Sequence, residues 1–329
     1  MSRRSSTIIS VVTVAVVAVL LAVMCRAFVA EMFIAAPQQM EKTLMPGDRV
    51  IVEKWHYGLR TASSHLPASV IDRLCKEDIA QATSPYLYLW PQPVRCNDII
   101  VYNYPIEDEG SLSHHPIVIA RCVGVPGDTI TAQDGCVRVN GNLLVESPVI
   151  TDAYLVPDTL LPVVEEAMLR QCATACSYEL IGNQALCFID RYSYDKLKEG
   201  LPSAQLPQLV TLSHDNYYVE LPPYGSDAVI TSHNAKMYAD IINRYEPCKV
   251  ELHGNALYRG GRKIKSYRFS QPYYWVLCDN RTATTDSRTF GVLPHTHVVG
   301  RCGMTFFSID ADKRGAHSWR INRFFQRSK

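Results

Sequence analysis

This 329-residue chain has no surplus of charge: 33 Lys and Arg stand against 32 Asp and Glu, a formal net charge of +1. A surface that neutralises phosphates needs a cationic excess, so nucleic acid is excluded as the main partner. Repeats and low-complexity tracts are also absent. With 47% hydrophobic and 20% charged residues, 17 Gly and 19 Pro, the composition is globular. That excludes a disordered tail, a collagen and a simple coiled coil, and the length suits one large domain or two medium ones. Metal-ligand spacing is missing too. Cys172, Cys176 and Cys187 fall close together, but no second Cys pair or nearby His completes a zinc pattern, so a local disulfide or buried thiols are expected there. His114, His115, His295 and His297 have no carboxylate or Cys at a ligand-like spacing and read as surface or turn residues. No metal and no cofactor is expected.

One further absence is local. From Ile8 to Cys25 the chain reads IISVVTVAVVAVLLAVMC, 18 residues without a charge. As a helix this run is about 27 Å long at 1.5 Å per residue, close to the roughly 30 Å hydrocarbon core of a bilayer. A cleaved secretory signal usually has an apolar region of only about 7–15 residues. Here the run is longer, Arg26 follows it directly, and Met24 stands where a lipoprotein site before Cys25 would need a small residue. An uncleaved anchor at 8–25 after a tail at 1–7 is expected, with the lipid bilayer as a partner. Arg3 and Arg4 place the N-terminus in the cytoplasm and the remaining chain outside it. Ten of the 11 cysteines lie beyond the anchor, which suits an oxidising space.

Beyond the anchor, Arg49 to Glu53 and Ile99 to Tyr102 are rich in β-branched and aromatic residues and predict strands. Turn signals punctuate them at Pro46-Gly47-Asp48, Pro126-Gly127-Asp128, Asp134-Gly135, Asn140-Gly141 and Gly260-Gly261. The stretch from Gly127 to Leu144 reads as two strands about Asp134-Gly135, an antiparallel pattern. Between Val145 and Pro247 the texture becomes mixed, with helices predicted over Pro162 to Cys176, Ser193 to Glu199 and His233 to Tyr245. Strand texture resumes at Lys249. The expected organisation is a β core in two parts, 26–144 and 248–329, with an inserted mixed domain at 145–247 and a smaller insertion at 61–93.

Three segments in order resemble the bacterial type I signal peptidase family, membrane-anchored serine proteases that remove leaders from exported proteins. Asp279-Asn280-Arg281, Asp286-Ser287-Arg288, Phe290-Gly291 and Val298-Val299-Gly300-Arg301 resemble that family's GDNRxxSxDSRxxG and VGR elements. The leading Gly is replaced by Cys278, and the serine of the middle stretch by Thr284. Ile119 to Asp128 (IARCVGVPGD) resembles IKRxVGxPGD, and Asn97 to Tyr102 resembles (R)GDIVVF. Gly47-Asp48, Val52-Glu53-Lys54 and Tyr57-Gly58 resemble GDxxxVEKxxYG. The resemblance covers about two thirds of the chain. It implies a mainly β fold of two antiparallel sheets, one carrying a groove, with an N-terminal transmembrane helix and here a mixed α/β insertion. It further implies a single-pass protein of the inner (cytoplasmic) membrane with its bulk on the extracytoplasmic side.

The same resemblance implies a Ser nucleophile, a Lys general base and a second hydroxyl assisting the oxyanion. Counting back from Gly47-Asp48 sets Ala36 to Leu44 against P-S-G-S-M-x-P-T-L, with Met40, Thr43 and Leu44 matching. The nucleophile position is then Gln39 and the oxyanion-donor position Pro37. In IARCVGVPGD the general-base position is Ala120. An amide is not a nucleophile for acyl transfer, and a methyl group cannot accept a proton. Cys122 reads as a small buried strand residue. Met40, Asp279, Asn280, Arg281, Thr284, Asp286, Ser287 and Arg288 are expected to brace the groove, with Asp286 paired to Arg288 or Arg281. The expectation is a peptidase-like protein without its own chemistry that binds leader peptides of exported preproteins or an active peptidase partner. Two alternatives stand beside it: a signal peptidase working with atypical residues such as Thr43, Lys42, His114 or His115, and an envelope scaffold acting through 145–247.

Overall fold

The strand texture of the sequence becomes antiparallel sheet in the computed structural model, which describes residues 3–24, 29–35, 39–40, 42–62, 86–89, 92–106, 115–133, 135–210, 216–283, 285–310, 313 and 315–328. The main sheet has eight strands. Across it run Ala30–Ile34, Asp48–Glu53, Val298–Ser308, Ile99–Asn103, Ile117–Gly124, Tyr273–Leu277 and Leu293–Pro294, with Gln326–Arg327 pairing the long third strand. Smaller antiparallel sheets surround it, so the described fold is mainly β but built from more than two sheets.

Both faces of the main sheet are covered, which explains why Ile99–Asn103 is buried at every position. Side chains alternate across a strand. Ile99 and Val101 therefore join Met40, Leu44, Val50 and Val52 on one side, while Ile100 and Tyr102 join Tyr57, Val118, Tyr274 and Val276 on the other. Each such side chain contributes on the order of 1.5–3 kcal/mol by leaving water. Gly47 illustrates the local precision of the packing: its φ is +89°, and a Cβ there would sit 1.9 Å from the Ile309 carbonyl oxygen. The neighbouring Asp48 is fully buried and receives Arg323 Nε at 3.1 Å and Nη2 at 2.6 Å, tying the C-terminal segment to the strand.

The strands expected between Gly127 and Leu144 are Thr129–Gln133, Cys136–Val139 and the short Asn142–Leu143, while Asp134 lies outside the described residues. A four-stranded sheet follows, ordered Ser177–Ile181, Gln184–Asp190, Thr151–Pro157 and Gln208–Leu209. Helices Leu161–Cys172 and Arg191–Gly200 cover one face of it, packing Val164, Met168 and Leu197 against Ala185, Cys187 and Ile189. This unit closes on its own cluster. The strand Tyr217–Glu220 and helix Ala235–Tyr245 instead pack with Ile130, Val137, Leu257 and Trp275. Of the smaller insertion, residues 61–62, 86–89 and 92–93 are described, and the strands Leu59–Ala62 and Tyr86–Leu89 pair antiparallel.

Helix Arg3–Met24 has 22 residues, and its side chains are described for residues 11–22. Val11, Val14, Val19 and Leu21 are all exposed, so among the described residues the apolar surface runs around the helix with no protein layer against it. Among the described residues no helix is long and apolar enough to cross a membrane.

The histidines depart from expectation. His295 and His297 occupy a 3-10 turn, yet they are buried, as is His115. His115 Nδ1 lies 2.9 Å from the Tyr104 carbonyl oxygen, and His295 Nδ1 lies 3.1 Å from the Tyr274 hydroxyl. Turn position in sequence therefore did not mean exposure: the aromatic core beneath the loop takes up the imidazoles. His114 lies outside the described residues. All described cysteines are free thiols, so of the two outcomes expected for Cys172, Cys176 and Cys187 the structure has thiols, with Cys187 buried and the other two partly buried.

Candidate active site

The site is assembled at one edge of the strand Ile117–Gly124. That strand pairs with Ile99–Asn103 over Ile117 to Arg121 on one edge, but with Tyr273–Leu277 only through Arg121, Cys122 and Gly124 on the other. Alternate backbone groups of an antiparallel strand point to opposite edges, and a buried N–H requires an acceptor. At Ile119 that acceptor is a side chain: the N–H donates to Gln39 Oε1 at 3.1 Å. The Gln39 carbonyl in turn accepts from Asn280 N at 3.2 Å. Gln39 is thus wedged between two motif segments, one residue away from Ala120. Ala120 is fully buried in the cluster with Ile100, Tyr102 and Val276. Met40 and Leu44 anchor the segment from below, with Leu44 N donating to Met40 O at 2.7 Å. Pro37 lies outside the described residues, as does Thr284.

Asp279, almost completely buried, is the hub of the polar groups. Arg121 grips it with Nε to Oδ1 at 2.9 Å and Nη2 to Oδ2 at 2.7 Å, and Thr43 Oγ1 donates to Oδ2 at 2.6 Å. Burial alone would lower the Arg121 pKa, but the hydrogen bonds and charge of Asp279 outweigh it and hold the guanidinium cationic. Asp286 and Arg288 form a second fork, Nε to Oδ1 at 3.0 Å and Nη2 to Oδ2 at 2.9 Å, while Asp286 also accepts from Cys278 N at 3.0 Å. Ser287 Oγ accepts the Val276 N–H at 2.9 Å, and Asn280 Oδ1 accepts from Thr282 N at 3.0 Å. Of the two partners considered for Asp286, Arg288 holds it. Arg281 turns away to Glu146, which it shares with Arg191.

The inserted unit reaches into this site. Thr151 N donates to Asp279 O at 3.0 Å and Arg281 N to Thr151 O at 2.8 Å, a one-residue parallel bridge. Lys42, at φ +67°, is ion-paired with Asp190 of the insertion. Burial would raise the Asp190 pKa, but bonds from Lys42 and Ser193 overcome this and lower it. Sequence reasoning did not single out Arg121, Glu146 or Asp190. Arg121 could have been found inside the IARCVGVPGD segment, whereas the other two sit in stretches without a motif.

Chemically, the described groups around Gln39 hold one another. The Lys42 amine is engaged with a carboxylate, the Thr43 hydroxyl donates to a guanidinium-bound one, and burial pushes the Cys122 thiol well above its ordinary pKa. Among the described residues no cluster of three His, Cys, Asp or Glu side chains is placed to hold a metal.

A model of the family described as signal peptidase, peptidase S26, matches residues 8–173 and 227–307, the greater part of the chain, and leaves out much of the inserted unit. The chain is also similar to a protein of Synechocystis named "Probable signal peptidase I-2", with 32% identity over 132 residues. That match covers 40% of this chain and 45% of the relative, so it spans less than half the relative's length. The matched regions contain Gln39, Ala120, Asp279 and Asp286 together, and the chain belongs to the peptidase S26 signal-peptidase family.

Proposed function

We propose that this protein is a membrane-anchored member of the family that takes part in signal-peptide processing of exported preproteins by binding, either to leader peptides or to an active peptidase, and does not cleave. One observation carries this reading: the side chain at the nucleophile position is a carboxamide bonded to Ile119 N–H, beside the buried methyl of Ala120 at the general-base position. Removing both members of such a pair leaves only the residual effects of binding. The scaffold forks at Asp279 and Asp286 persist without either role, which fits a groove kept for recognition. On that strand edge the Ile119 N–H is taken by Gln39, so strand addition by an extended peptide would use the backbone groups at Ile117. The uncharged run at 8–25 of the sequence supports a single-pass anchor in the inner membrane, with the β core on the extracytoplasmic side.

The test is site-specific photocrosslinking in lipid nanodiscs. A photoreactive aromatic residue at Ile117, which is 39% exposed on that edge, should crosslink to a leader peptide, and excess unlabelled leader should compete. Equal crosslinking from a control probe at Leu143, on a different sheet, would remove the support for groove binding.

A further inference from the structure

Among the described residues, helices cover one face of the inserted sheet, and its other face is also apolar. On the strand Gln184–Asp190, Ala185, Cys187 and Ile189 are buried under the helices, while Leu186 and Phe188 point the other way and remain half-buried. That second face looks into a cavity of about 550 Å³, closed on its far side by Val137, Leu277 and the segment 280–283. The volume lies in the range of sites for small ligands, roughly 300–1,000 Å³. Among the described residues, Arg281 Nη1 is buried in the lining without a hydrogen-bond partner, and the Tyr217 hydroxyl, which the Trp275 indole N–H approaches, has no acceptor for its own proton.

The charges decide what fits. Arg191, Arg281 and Arg288 are matched by Glu146, Asp152 and Asp286, and Glu179 adds a further carboxylate at the wall. With no cationic excess, an anion gains little. A hydrocarbon chain would cover Leu186, Phe188 and Leu209 but leave both donors unpaired, and each unpaired buried polar group costs about 1–3 kcal/mol. An uncharged peptide satisfies both demands, with carbonyl oxygens for Arg281 Nη1 and Tyr217 and apolar side chains for the sheet face.

We infer that this cavity is a second peptide-binding subsite, taking a short, uncharged, apolar stretch of polypeptide. It adjoins the Gln39 site through Asn280, whose N–H donates to the Gln39 carbonyl, but its lining takes no residue from the strand Ile117–Gly124, so it does not depend on the groove reading.

The experiment uses the full chain in lipid nanodiscs and an N-acetylated, C-amidated hexapeptide of Ala and Leu carrying one photoreactive leucine. Binding is read by anisotropy, and crosslinks are mapped by mass spectrometry. Crosslinks on Gln184–Asp190 or Leu209 are expected. Phe188→Glu should weaken binding by about tenfold or more. Because that variant could fail to fold, Tyr217→Phe, which keeps the ring, provides the second arm; it should weaken binding about two- to tenfold with an unchanged melting temperature. Failure to bind, crosslinks confined to Met40 and Ile117, or affinity unmoved by both substitutions would overturn the inference. Tighter binding of dodecanoate than of the peptide would also overturn it, in favour of a carboxylate site.

Discussion

Replacing Ala120 by lysine asks whether the general-base position is the dry, filled site that the packing describes. Ala120 has no exposed surface and lies in a strand buried at seven of its eight positions. A lysine adds a four-carbon stem and an amine, and overpacking a filled core costs typically about 1–3 kcal/mol. Burial moves a lysine pKa down by up to roughly 3–5 units. From an unfolded value near 10.4, keeping the amine neutral at pH 7 then costs about 4–5 kcal/mol more. The sign follows from linkage. The folded pKa lies below the unfolded one, the unfolded chain binds more protons between them, and stability rises with pH by about 1.4 kcal/mol per unit in that window. Urea unfolding of Ala120→Lys at pH 7 and pH 9.5 should therefore show a recovery of roughly 3 kcal/mol relative to wild type. Ala120→Met, which carries a comparable stem without charge, should show the packing cost and no such recovery. If lysine and methionine variants unfold alike at both pH values, the amine has reached water or a carboxylate, and the account of a closed, apolar position is wrong.

Three further outcomes follow from the polar groups. Asp279→Ala leaves Arg121 buried without its fork and should lower unfolding free energy by about 3–5 kcal/mol, whereas Asp279→Leu with Arg121→Met should restore most of it, both read by urea denaturation. Asp190, whose pKa is lowered below its ordinary 3.8, contributes stability that is present above that value and lost as pH falls through the folded pKa; Asp190→Asn should flatten the acid limb of the stability profile below about pH 4. The Cys176 thiol is lowered by its hydrogen bond with Cys187, against the effect of burial, while that bond and burial push Cys187 up. Iodoacetamide should therefore label Cys176 well before Cys187 in a mass-spectrometric time course, and equal rates would contradict the pairing.

The strands were legible because their β-branched runs are long relative to the noise of turns: Arg49 to Glu53 and Ile99 to Tyr102 each lie in a strand extending one residue further. Helix ends were less so. The helix predicted over Pro162 to Cys176 stops at Cys172, where Ala173 turns left-handed at φ +52°, and its tail feeds the strand Ser177–Ile181. Similarly, Asp190 caps the helix Arg191–Gly200 by accepting from Ser193 N, so that helix begins earlier than the predicted Ser193. In the site, motif spacing located Asp279 and Asp286, but a motif reports neighbours in the chain. It identified the local partner Arg288 and missed Arg121, 158 residues before Asp279. The ion pairs that dock the insertion, Lys42 with Asp190 and Arg281 with Glu146, likewise join segments that no local pattern relates.

The central claim is that Gln39 and Ala120 leave the family's groove without its chemistry. Incubation of the purified full-length protein with an exported preprotein tests this most directly, read as appearance of the mature fragment. The account predicts no cleavage by the wild-type chain, at any time at which an active peptidase of the family has processed the same substrate. Reproducible cleavage that is abolished by Thr43→Ala or Gln39→Ala, and absent from a mock preparation, would contradict it.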